Sequence, residues 1–460
     1  METRTERDGL GEFAVPADAY YGIATARAVQ NFPMSGQRMP RPLIRALALT
    51  KAGAARANRD LGLLDAPMAD AIKAAAEEVA RGDFDAHFPV DVFQTGSGTS
   101  TNMNANEVIA NRANEALGAA RGANAPVHPN DHVNLGQSSN DVIPTAIHVA
   151  AISRMRTHLL PGLYHLEAAL NRKASEFDGV VKTGRTHLMD AVPIRLGQEF
   201  RGYAGQVERG RKRVTLASEA LREVALGGTA VGTGVNTHPE FAGRVLAYVR
   251  ETERLQVVET SNHFQAQSSI DGMVEASGQL RVVAVSLMKI ANDIRLMASG
   301  PRAGFAEIEL PSLQPGSSIM PGKVNPVIPE VVVQVGARVI GNDATVAVSG
   351  QWGFFELNTM LPVAGVALLD SIELLGTAAR VFAETCIANI SATENGPQLV
   401  EQGLALATPL ALVVGYDRAA EVVKEALRRG TTIREVAGEL LDLAPAELDR
   451  ILSPGQMTGD

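Results

Sequence analysis

A seven-residue repeat of apolar residues between Ser268 and Ser299 most constrains what this chain can fold into. Four residues recur at this interval: Met273, Leu280, Leu287 and Ile294. A second row beside them has mostly small members: Ile270, Ser277, Ala284, Ala291 and Ala298. The pattern predicts one helix, about 45 Å long, whose seam packs closely in a bundle. Such long helices are usual in bundles shared between subunits, and we expect the seam to be an exposed apolar stripe in a monomer.

Helical patterns dominate the chain from about Pro42 onward. They predict helices over 41–64, 68–81, 102–121, 144–176, 193–224, 328–347, 357–388 and 417–429. Thr432 and Glu435 have the spacing of a capping box, and Pro445 opens a last short helix toward Leu452. Strand signals are weak, with one short hairpin expected near residues 12–15.

The composition agrees with a helical core. Hydrophobic residues make up 45% of the 460 residues but aromatic residues only 4%, so the core is built from Ala, Leu, Val and Ile. Small aliphatic side chains suit close helix–helix packing better than sandwiches or barrels. The patterns predict a mainly α protein with an N-terminal domain (1–138), a central long-helix domain (139–392) and a small C-terminal helical domain (393–460).

Charge and cysteine content exclude several classes of function. A net charge of −9 argues against a nucleic-acid sleeve or a basic membrane-binding surface. The one cysteine, Cys386, allows no disulfide and no cysteine-based zinc site within the chain, and its aliphatic surroundings indicate a buried side chain. The N-terminus has no apolar signal-peptide region, and the uncharged run 402–416 is too short to cross a bilayer. We therefore expect a soluble cytoplasmic protein.

Four polar, glycine-bearing loops interrupt the apolar helical pattern. They span 94–104, 128–141, 184–188 and 316–325 and are rich in Ser, Thr and Asn. Hydroxyls, amides and backbone N–H groups bind carboxylate or phosphate without free acids to repel it. One such loop is more often a set of turns and helix caps, but four of them, carrying Lys323 and His187, favour a composite anion site. His187 lies in a loop expected to open a helix, a suitable place for a catalytic base.

The segment Gly316-Ser-Ser-Ile-Met-Pro-Gly-Lys-Val-Asn-Pro326 resembles the signature of the fumarase/aspartase superfamily. The signature is long and ordered, so a chance match is improbable. Further segments follow in the order found in the superfamily, around Thr99, 128–141, 186–187 and 227–234. The resemblance covers nearly the whole chain, from Val15 to Asp417.

Within the superfamily the chain is most similar to the class II fumarate hydratases, with aspartate ammonia-lyase, which converts L-aspartate to fumarate and ammonia, as the alternative. Three segments favour the hydratases: Gly-Ser-Gly-Thr at 96–99, Ser-Ser-Asn at 138–140 and Gly-Gly-Thr at 227–229. Aspartases tend to carry Gly-Ala-Gly-Thr at the place of 96–99 and Gly-Ala-Thr at the place of 227–229. At the place of 138–140 they usually carry Thr as the middle residue. The resemblance implies a carbon–oxygen lyase that adds water anti to fumarate, giving L-malate, in the tricarboxylic acid cycle.

The resemblance also implies an assembly. Members of this superfamily are mostly helical homotetramers with three domains and a central bundle of long helices. Each active site draws loops from three subunits, which would explain why the anion-binding loops are scattered along the chain. The implied partners are a small dicarboxylate substrate and further copies of the chain, with no nucleic acid, no membrane, no cofactor and no metal.

Individual roles come from the same resemblance. Ser317 takes the carbon-bound proton, and His187, oriented by Glu330, handles the oxygen proton through a water. Lys323 and Asn325 stabilise the charge that develops on the substrate carboxylate. The implied substrate-binding residues are Ser97, Gly98, Thr99, Ser138, Ser139, Asn140, Thr186, Ser318, Lys323 and Asn325.

A second, peripheral anion site is implied at His128, Pro129, Asn130 and Asp131. Two departures from the hydratase pattern concern this site: His132 stands where Asp is common, and Ala125 where a basic residue is often found. A third reading is a structural member of the superfamily that has lost its activity. The chain retains the five implied catalytic residues, which argues against that reading: His187, Ser317, Lys323, Asn325 and Glu330.

Overall fold

The computed structural model describes residues 2–459 and consists mainly of helices. They are α1 (Ile23–Asn31), α2 (Arg41–Asp60), α3 (Ala66–Arg81), α4 (Thr99–Ala116), α5 (Ser139–Arg154), α6 (Leu160–Glu176), α7 (Leu196–Ala220), α8 (Phe241–Glu253), α9 (His263–Ser268), α10 (Asp271–Met297), α11 (Val327–Gly350), α12 (Leu361–Val381), α13 (Asn395–Gln402), α14 (Ala411–Val414), α15 (Tyr416–Arg429), α16 (Ile433–Leu440) and α17 (Pro445–Ile451). The predicted mainly α class is confirmed.

The strands are short and form two-stranded sheets. They are β1 (Thr3–Asp8), β2 (Gly11–Pro16), β3 (Val181–Thr186), β4 (Met189–Arg195), β5 (Glu223–Val224), β6 (Val258–Glu259), β7 (Ile308–Glu309), β8 (Gly353–Phe354), β9 (Leu357–Asn358) and β10 (Ser391–Ala392). The expected N-terminal hairpin is the antiparallel pair β1–β2. The antiparallel pair β3–β4 was not expected.

The chain divides into two compact units. The first contains the segment up to Leu160, Lys212–Val282 and Ala337–Leu375, and the second contains Pro161–Arg211, Val283–Gly336 and the segment from Gly376 onward. The division therefore falls inside the long helices α7, α10, α11 and α12. The three-domain boundaries near residues 138 and 393 remain a prediction. Within the second unit, residues between Leu404 and Met457 share a hydrophobic cluster of their own.

Several helix starts differ from the sequence prediction for identifiable reasons. α5 begins five residues before Pro144, because Ser138 and Asp141 form a complete capping box at its N-terminus. α7 begins after Pro193, because residues 189–195 pair with β3 as a strand. α4 begins at Thr99, directly after Gly98 in the left-handed conformation. Helices α8 and α9 had no counterpart in the prediction.

The apolar seam of α10 is present, but the prediction that it would be exposed in a monomer was wrong. Met273, Leu280, Leu287 and Ile294 are all buried within the single chain. The small row is mostly buried too, and there the Ser277 hydroxyl donates to Asp343 Oδ1 on α11 at 2.8 Å. The apolar residues left exposed lie on other faces: Val282, Val285 and Leu296 on α10, and Val331, Ile340 and Val348 on α11. A period of seven residues identifies the apolar face but does not tell what covers it.

Within residues 2–459, two helical segments are long and apolar enough to cross a membrane by length and composition alone, and a bent pair of helices, Asn395–Gln402 and Leu404–Val414, would be a third if it formed one span. The two segments are Val327–Gly350 and Leu361–Asn389, and their most apolar windows are 33% and 67% buried within the chain. The first is the helix with the exposed valines described above. The sequence prediction considered only the uncharged run 402–416 as a membrane span and did not identify these segments.

Cys386 is buried as expected, and burial raises the pKa of its thiol to about 12.

Candidate active site

The N-termini of α4 and α5 bring together three hydroxyl groups that the sequence analysis assigned to substrate binding. The Thr99 hydroxyl oxygen lies 2.8 Å from the Ser97 hydroxyl oxygen and 2.8 Å from that of Ser139. Gly98, with φ of +76°, precedes Thr99, and a side chain there would collide with Ile143. Because the first N–H groups of a helix lack helical partners, two helix starts lined with hydroxyls form a suitable anion-binding surface.

The next residues, Ser138 and Asn140, hold the beginning of α5 in place. The Ser138 hydroxyl accepts from the Asn140 N–H at 3.2 Å, and the Asn140 side chain donates to the Ala230 carbonyl at 2.8 Å. These two side chains are therefore largely engaged with the protein. Thr99, Ser138 and Ser139 all line the cavity described below.

Asp141 joins α5 to the glycine-rich segment 227–234. It is fully buried, and its two carboxylate oxygens accept from the backbone N–H groups of Ser138 (2.9 Å), Gly227 (3.1 Å) and Thr229 (3.0 Å). Burial raises the pKa of this carboxyl, and the N–H donors act in the opposite direction. Thr229 has φ of +55°, a conformation that a branched residue adopts at a cost in free energy. Asp141 stabilises this conformation through the Thr229 N–H.

A fully buried lysine lies behind the same surface. The Lys51 ammonium, on α2, donates to the side-chain oxygens of Asn102 (2.6 Å), Asn134 (3.0 Å) and Gln137 (2.9 Å). Burial lowers the pKa of Lys51 to about 7, and the charge of Asp141 acts against this shift. The sequence analysis did not single out Lys51.

These groups border a cavity of about 620 Å³. Its lining is mixed: the polar residues include Thr99, Asn102, Asn130, Asp131, Asn134, Gln137, Ser138 and Ser139, and the apolar ones include Met103, Leu135 and Val235. Three residues of the predicted substrate-binding set, Thr99, Ser138 and Ser139, and part of the predicted second anion site therefore line one cavity of the first unit.

The predicted second anion site forms a short helical turn over Pro129–Val133. His128 Nδ1 accepts from the N–H groups of Asn130 (3.3 Å) and Asp131 (3.2 Å), while His132 Nδ1 accepts from the His128 N–H at 2.8 Å. His128 therefore caps the turn with one ring nitrogen, which leaves only Nε2 for an external anion. His132, the departure noted in the sequence, stabilises the same turn.

His187 lies at the tip of the β3–β4 hairpin, so the expectation that its loop opens a helix was wrong. Thr186 pairs with Met189, which leaves His187 and Leu188 as a two-residue turn with φ of +56° and +61°. Positive φ at both central residues is typical of the type I′ hairpin turn, whose backbone twist matches that of the flanking strands. Thr186 and His187 are exposed, and no hydrogen bond joins the His187 ring to another residue in 2–459. The turn presents the imidazole outward.

Buried ion pairs anchor the base of this hairpin. Glu307 pairs with Lys182 (3.1 Å) and Arg185 (2.8 Å), and Lys182 also pairs with Glu199 (2.9 Å). Lys182 and Glu307 are 2% and 1% exposed, so their pairing is shielded from water. Burial raises the pKa of Glu199, whereas Lys182 acts to lower it. Glu307 thus holds the β3 strand of the hairpin that carries His187 at two points, Lys182 near the base and Arg185 near the tip.

The signature loop 316–325 closes on itself. The Gly316 N–H donates to the Lys323 carbonyl at 2.7 Å, and the Asn325 side chain donates to the Gly316 carbonyl at 2.8 Å. The Ser317 hydroxyl oxygen accepts from the N–H groups of Ile319 (3.2 Å) and Met320 (2.9 Å). Two N–H donors on one oxygen stabilise negative charge there.

Lys323 and Asn325 border a second cavity, of about 1170 Å³, within the second unit. Glu330, in the first turn of α11, and Arg295, on α10, line the same cavity. Lys323 is exposed, and no ion pair is found for it among residues 2–459. The cavity therefore offers an ammonium group and an amide to an anionic ligand, with the carboxylates of Glu309, Glu330 and Glu394 also in its lining.

The single chain brings together some predicted site residues and not others. One group lies in the first unit: Ser97, Gly98, Thr99, Ser138, Ser139 and Asn140. The other lies in the second unit: Thr186, His187, Ser317, Ser318, Lys323, Asn325 and Glu330. Across the described part of the chain, no hydrogen bond or ion pair joins His187 to Glu330. The orientation of His187 by Glu330 remains a prediction.

Lys51 and Asp141 are the site residues whose roles sequence reasoning missed. The signal for Lys51 was present, because it follows Leu43 and Leu47 at four-residue intervals on the buried stripe of α2. A lysine on such a stripe is rare unless it has polar partners.

The described residues offer no cluster of metal ligands. No group of three or more His, Cys, Asp and Glu side chains suited to an ion is found within residues 2–459. The expectation of a metal-free site remains a prediction.

Two known protein families match this chain. Residues 11–341 match the family model described as "Lyase", and residues 406–459 match the model described as "Fumarase C C-terminus". A long-helix protein that matches both models is a lyase of the fumarase type. The two matches together span most of the chain.

Known relatives narrow the assignment. The chain is 56% identical to "Fumarate hydratase class II" of Halobacterium salinarum, over 99% of this chain and 97% of that one. It is 53% identical to the protein of the same name from Corynebacterium efficiens, over 98% and 96% of the two chains. The chain belongs to the class II fumarate hydratase family, and the predicted resemblance is confirmed.

Solved structures agree with this assignment. The class II fumarase of Schistosoma mansoni superposes with a TM-score of 0.96 at 38% identity, over 99% of both chains. A fumarate lyase:delta crystallin structure from Brucella melitensis, bound to cobalt, superposes with a TM-score of 0.96 at 46% identity, over 100% of both chains. The predicted fumarase-type fold is confirmed.

The Asp141 contacts generate a prediction about the glycine-rich segment. In Asp141→Asn, an amide NH₂ replaces one carboxylate oxygen and faces a backbone N–H donor. We expect a loss of about 1–3 kcal/mol in the free energy of unfolding and faster hydrogen exchange at Gly227 and Thr229. Asp65→Asn, at an exposed residue that makes no side-chain capping bond at α3, is the control. Unchanged exchange at both amides would show that Asp141 does not hold this segment.

Proposed function

We propose that this chain catalyses the reversible anti addition of water to fumarate, giving L-malate. It is a carbon–oxygen lyase of the class II fumarate hydratase family. The observation that carries the proposal is the closed signature loop, in which Ser317 Oγ accepts two backbone N–H bonds. That arrangement suits a group that must hold a negative charge before it removes a proton.

The difficult step is removal of a proton from a carbon next to a carboxylate. The resulting carbanion spreads its charge onto that carboxylate, so the site must stabilise an additional negative charge. Lys323 and Asn325 border one cavity and supply an ammonium group and an amide for this purpose. Because fixed donors need no reorganisation during the reaction, they stabilise the transition state more than water does.

Ser317 is the proposed base for the carbon-bound proton. An alkoxide is ordinarily too unstable at neutral pH, but the N–H groups of Ile319 and Met320 are already directed at its oxygen. His187 is proposed to transfer the oxygen proton through a water, with Glu330 orienting the ring. The hairpin tip suits this role, because its turn exposes the imidazole instead of packing it in the core.

The substrate carboxylates are proposed to bind at the starts of α4 and α5 and at the hairpin tip. Thr99 and Ser139 supply linked hydroxyls in the first unit, and Thr186 supplies one in the second. Ser97, Gly98, Ser138, Asn140 and Ser318 complete the proposed substrate-binding set. The His128–Asp131 turn is proposed as a weak second anion site, because His128 Nδ1 is already used to cap the turn.

We further propose that the protein is a homotetramer whose active sites combine residues from different subunits. Support comes from α11, which leaves Val331 and Val348 45% and 51% exposed in a single chain. Copies of the chain suit this surface better than lipid does, because the Arg338–Asp370 ion pair interrupts it. A cytoplasmic location and a role in the tricarboxylic acid cycle complete the proposal.

The activity is tested by offering L-malate and L-aspartate separately to the purified protein. We expect fumarate to form from L-malate, measured by the ultraviolet absorbance of fumarate. When fumarate is supplied instead, we expect the same absorbance to fall as water is added to it. Little fumarate should form from L-aspartate at matched saturation. Faster conversion of aspartate would assign the chain to the ammonia-lyases, and no reaction with either would favour an inactive structural member.

Removal of the proposed base tests the mechanism. Ser317→Ala should reduce turnover on the order of a thousandfold, because one acid–base group is lost. Binding of a tricarboxylate inhibitor such as citrate should change little. Ser175→Ala, at an exposed hydroxyl on α6, is the matched control and should keep normal turnover. Near-normal turnover of Ser317→Ala with a lowered melting temperature would instead make Ser317 a structural residue.

Mixed tetramers test whether the sites are shared. His187→Asn and Ser317→Ala should each be nearly inactive alone. After the two proteins are dissociated, mixed and reassociated, some sites receive His187 from one chain and Ser317 from the other. We expect activity to reappear in the mixture, measured against each variant treated in the same way. An active monomer in sedimentation, or no recovery in verified hybrids, would contradict the shared-site proposal.

A further inference from the structure

We infer that Lys51 is a positioning residue whose positive charge lies behind the wall of the 620 Å³ cavity and attracts the carboxylate of a bound dicarboxylate. The inference rests on the proposed function, since it concerns the same substrate. It adds a positive charge behind a cavity whose polar lining consists of hydroxyls, amides and the carboxylate of Asp131. Lys51 acts through the side chains that it holds and does not itself line the cavity.

The burial of Lys51 is complete and is not explained by helix packing. The side chain is 0% exposed in α2, on a stripe that includes Leu47, Ala54 and Ala55. A leucine or methionine would satisfy this stripe without the desolvation of a charge. Burying an ammonium group without a compensating partner is strongly unfavourable, so its presence needs a reason outside the core.

The three bonds of the ammonium group go to neutral acceptors. The side-chain oxygens of Asn102, Asn134 and Gln137 satisfy all its donors, but none of them carries a charge. The charge of Asp141, on α5, acts to raise the pKa of this ammonium. Its oxygens are engaged by three backbone N–H groups, so Lys51 has no carboxylate bonded to it.

The three acceptors connect the charge to the ligand. Asn102, Asn134 and Gln137 all line the cavity, together with Thr99 and Ser139. The ammonium group therefore lies one amide side chain behind the surface at which an anion would bind. In a medium of low dielectric constant, a charge at this range acts strongly on an anion that also lacks full hydration.

The same bonds position the loop that leads into α5. Asn134 donates to the Gln137 carbonyl at 3.1 Å, and the Gln137 side chain donates to the Val133 carbonyl at 3.0 Å. Lys51 binds the oxygens of both side chains and so joins this turn to α4 through Asn102. Removal of the charge would thus affect both the potential in the cavity and the placement of Ser138.

The lowered pKa of Lys51, about 7, gives the inference a distinct signature. The group is a cation below this pH and becomes neutral above it, so anion affinity should fall as the pH rises through the pKa. The groups that face the ammonium are Asp141 from α5, Asn102 from α4 and the neutral Asn134 and Gln137 from the loop. A bound carboxylate would in turn raise the pKa of Lys51.

The experiment measures binding of succinate, a saturated four-carbon dicarboxylate that cannot be hydrated, by calorimetry at pH 6.5. Lys51→Met removes the charge and retains much of the side-chain volume. We expect its Kd for succinate to rise on the order of tenfold or more. The matched control is Lys173→Met, another buried lysine, which bonds to the Ile390 carbonyl in the second unit. The control should lose melting temperature but keep the wild-type Kd.

A melting-temperature loss in Lys51→Met with an unchanged Kd would overturn the inference and make Lys51 a structural residue. If Lys51→Met does not fold, Lys51→Gln gives the same comparison while retaining one N–H donor. A further measurement uses His187→Asn, which removes the imidazole of the hairpin tip. In that background the succinate Kd should rise from pH 6 to pH 8.5, and a constant Kd would overturn the inference.

The outcomes separate this inference from the proposed function. If the wild-type protein binds succinate through Lys51 but converts neither malate nor aspartate, the proposed function fails and the inference stands. If the wild type and Lys51→Met convert malate with the same turnover and KM and bind succinate with the same Kd, the inference fails. The proposed function then stands.

Discussion

The close approach of long helices along small side chains is the constraint on which the rest of this structure depends. Ser277, Ala284 and Ala291 are buried along α10, and a side chain at Gly336 on α11 would lie 2.3 Å from Met288. Gly162 is similarly restricted, since a Cβ there would lie 2.5 Å from the Gly376 carbonyl. Larger residues would separate the helices and lose the dispersion contacts that stabilise the core. The polar loops that carry the chemistry are attached to helices fixed in this way.

Three buried charges of this chain hold loops in place. Asp141 binds the segment containing Gly227 and Thr229, Glu307 holds the base of the His187 hairpin, and Lys51 holds the turn before α5. Isolated charges are costly to bury, but a charge bonded to several backbone or amide groups places a loop accurately. This explains how a site proposed to bind a dicarboxylate can present hydroxyls, amides and N–H groups on its surface.

Positive φ at non-glycine residues occurs at two of these places as well as at other turns of the chain. His187, Leu188 and Thr229 have positive φ values although none is glycine. Such conformations each cost on the order of 1–3 kcal/mol and persist only where neighbouring contacts hold them. For Thr229 the contact is Asp141, and for the hairpin tip it is the pairing of β3 with β4. Both strained segments lie next to residues assigned to the reaction.

The sequence by itself determined the helical class, the capping box of α16, the seam of α10 and the family. These properties depend on local periodicity, on capping residues and on an ordered motif around Ser317, all of which are present in the linear chain. The tertiary structure alone decided that the α10 seam is buried within one chain, that His187 lies on a hairpin and that Lys51 lies behind the cavity wall. The physical reason is that periodicity identifies which residues avoid water. It does not identify the distant segments that cover them, and those segments decide exposure, strand pairing and the partners of a buried charge.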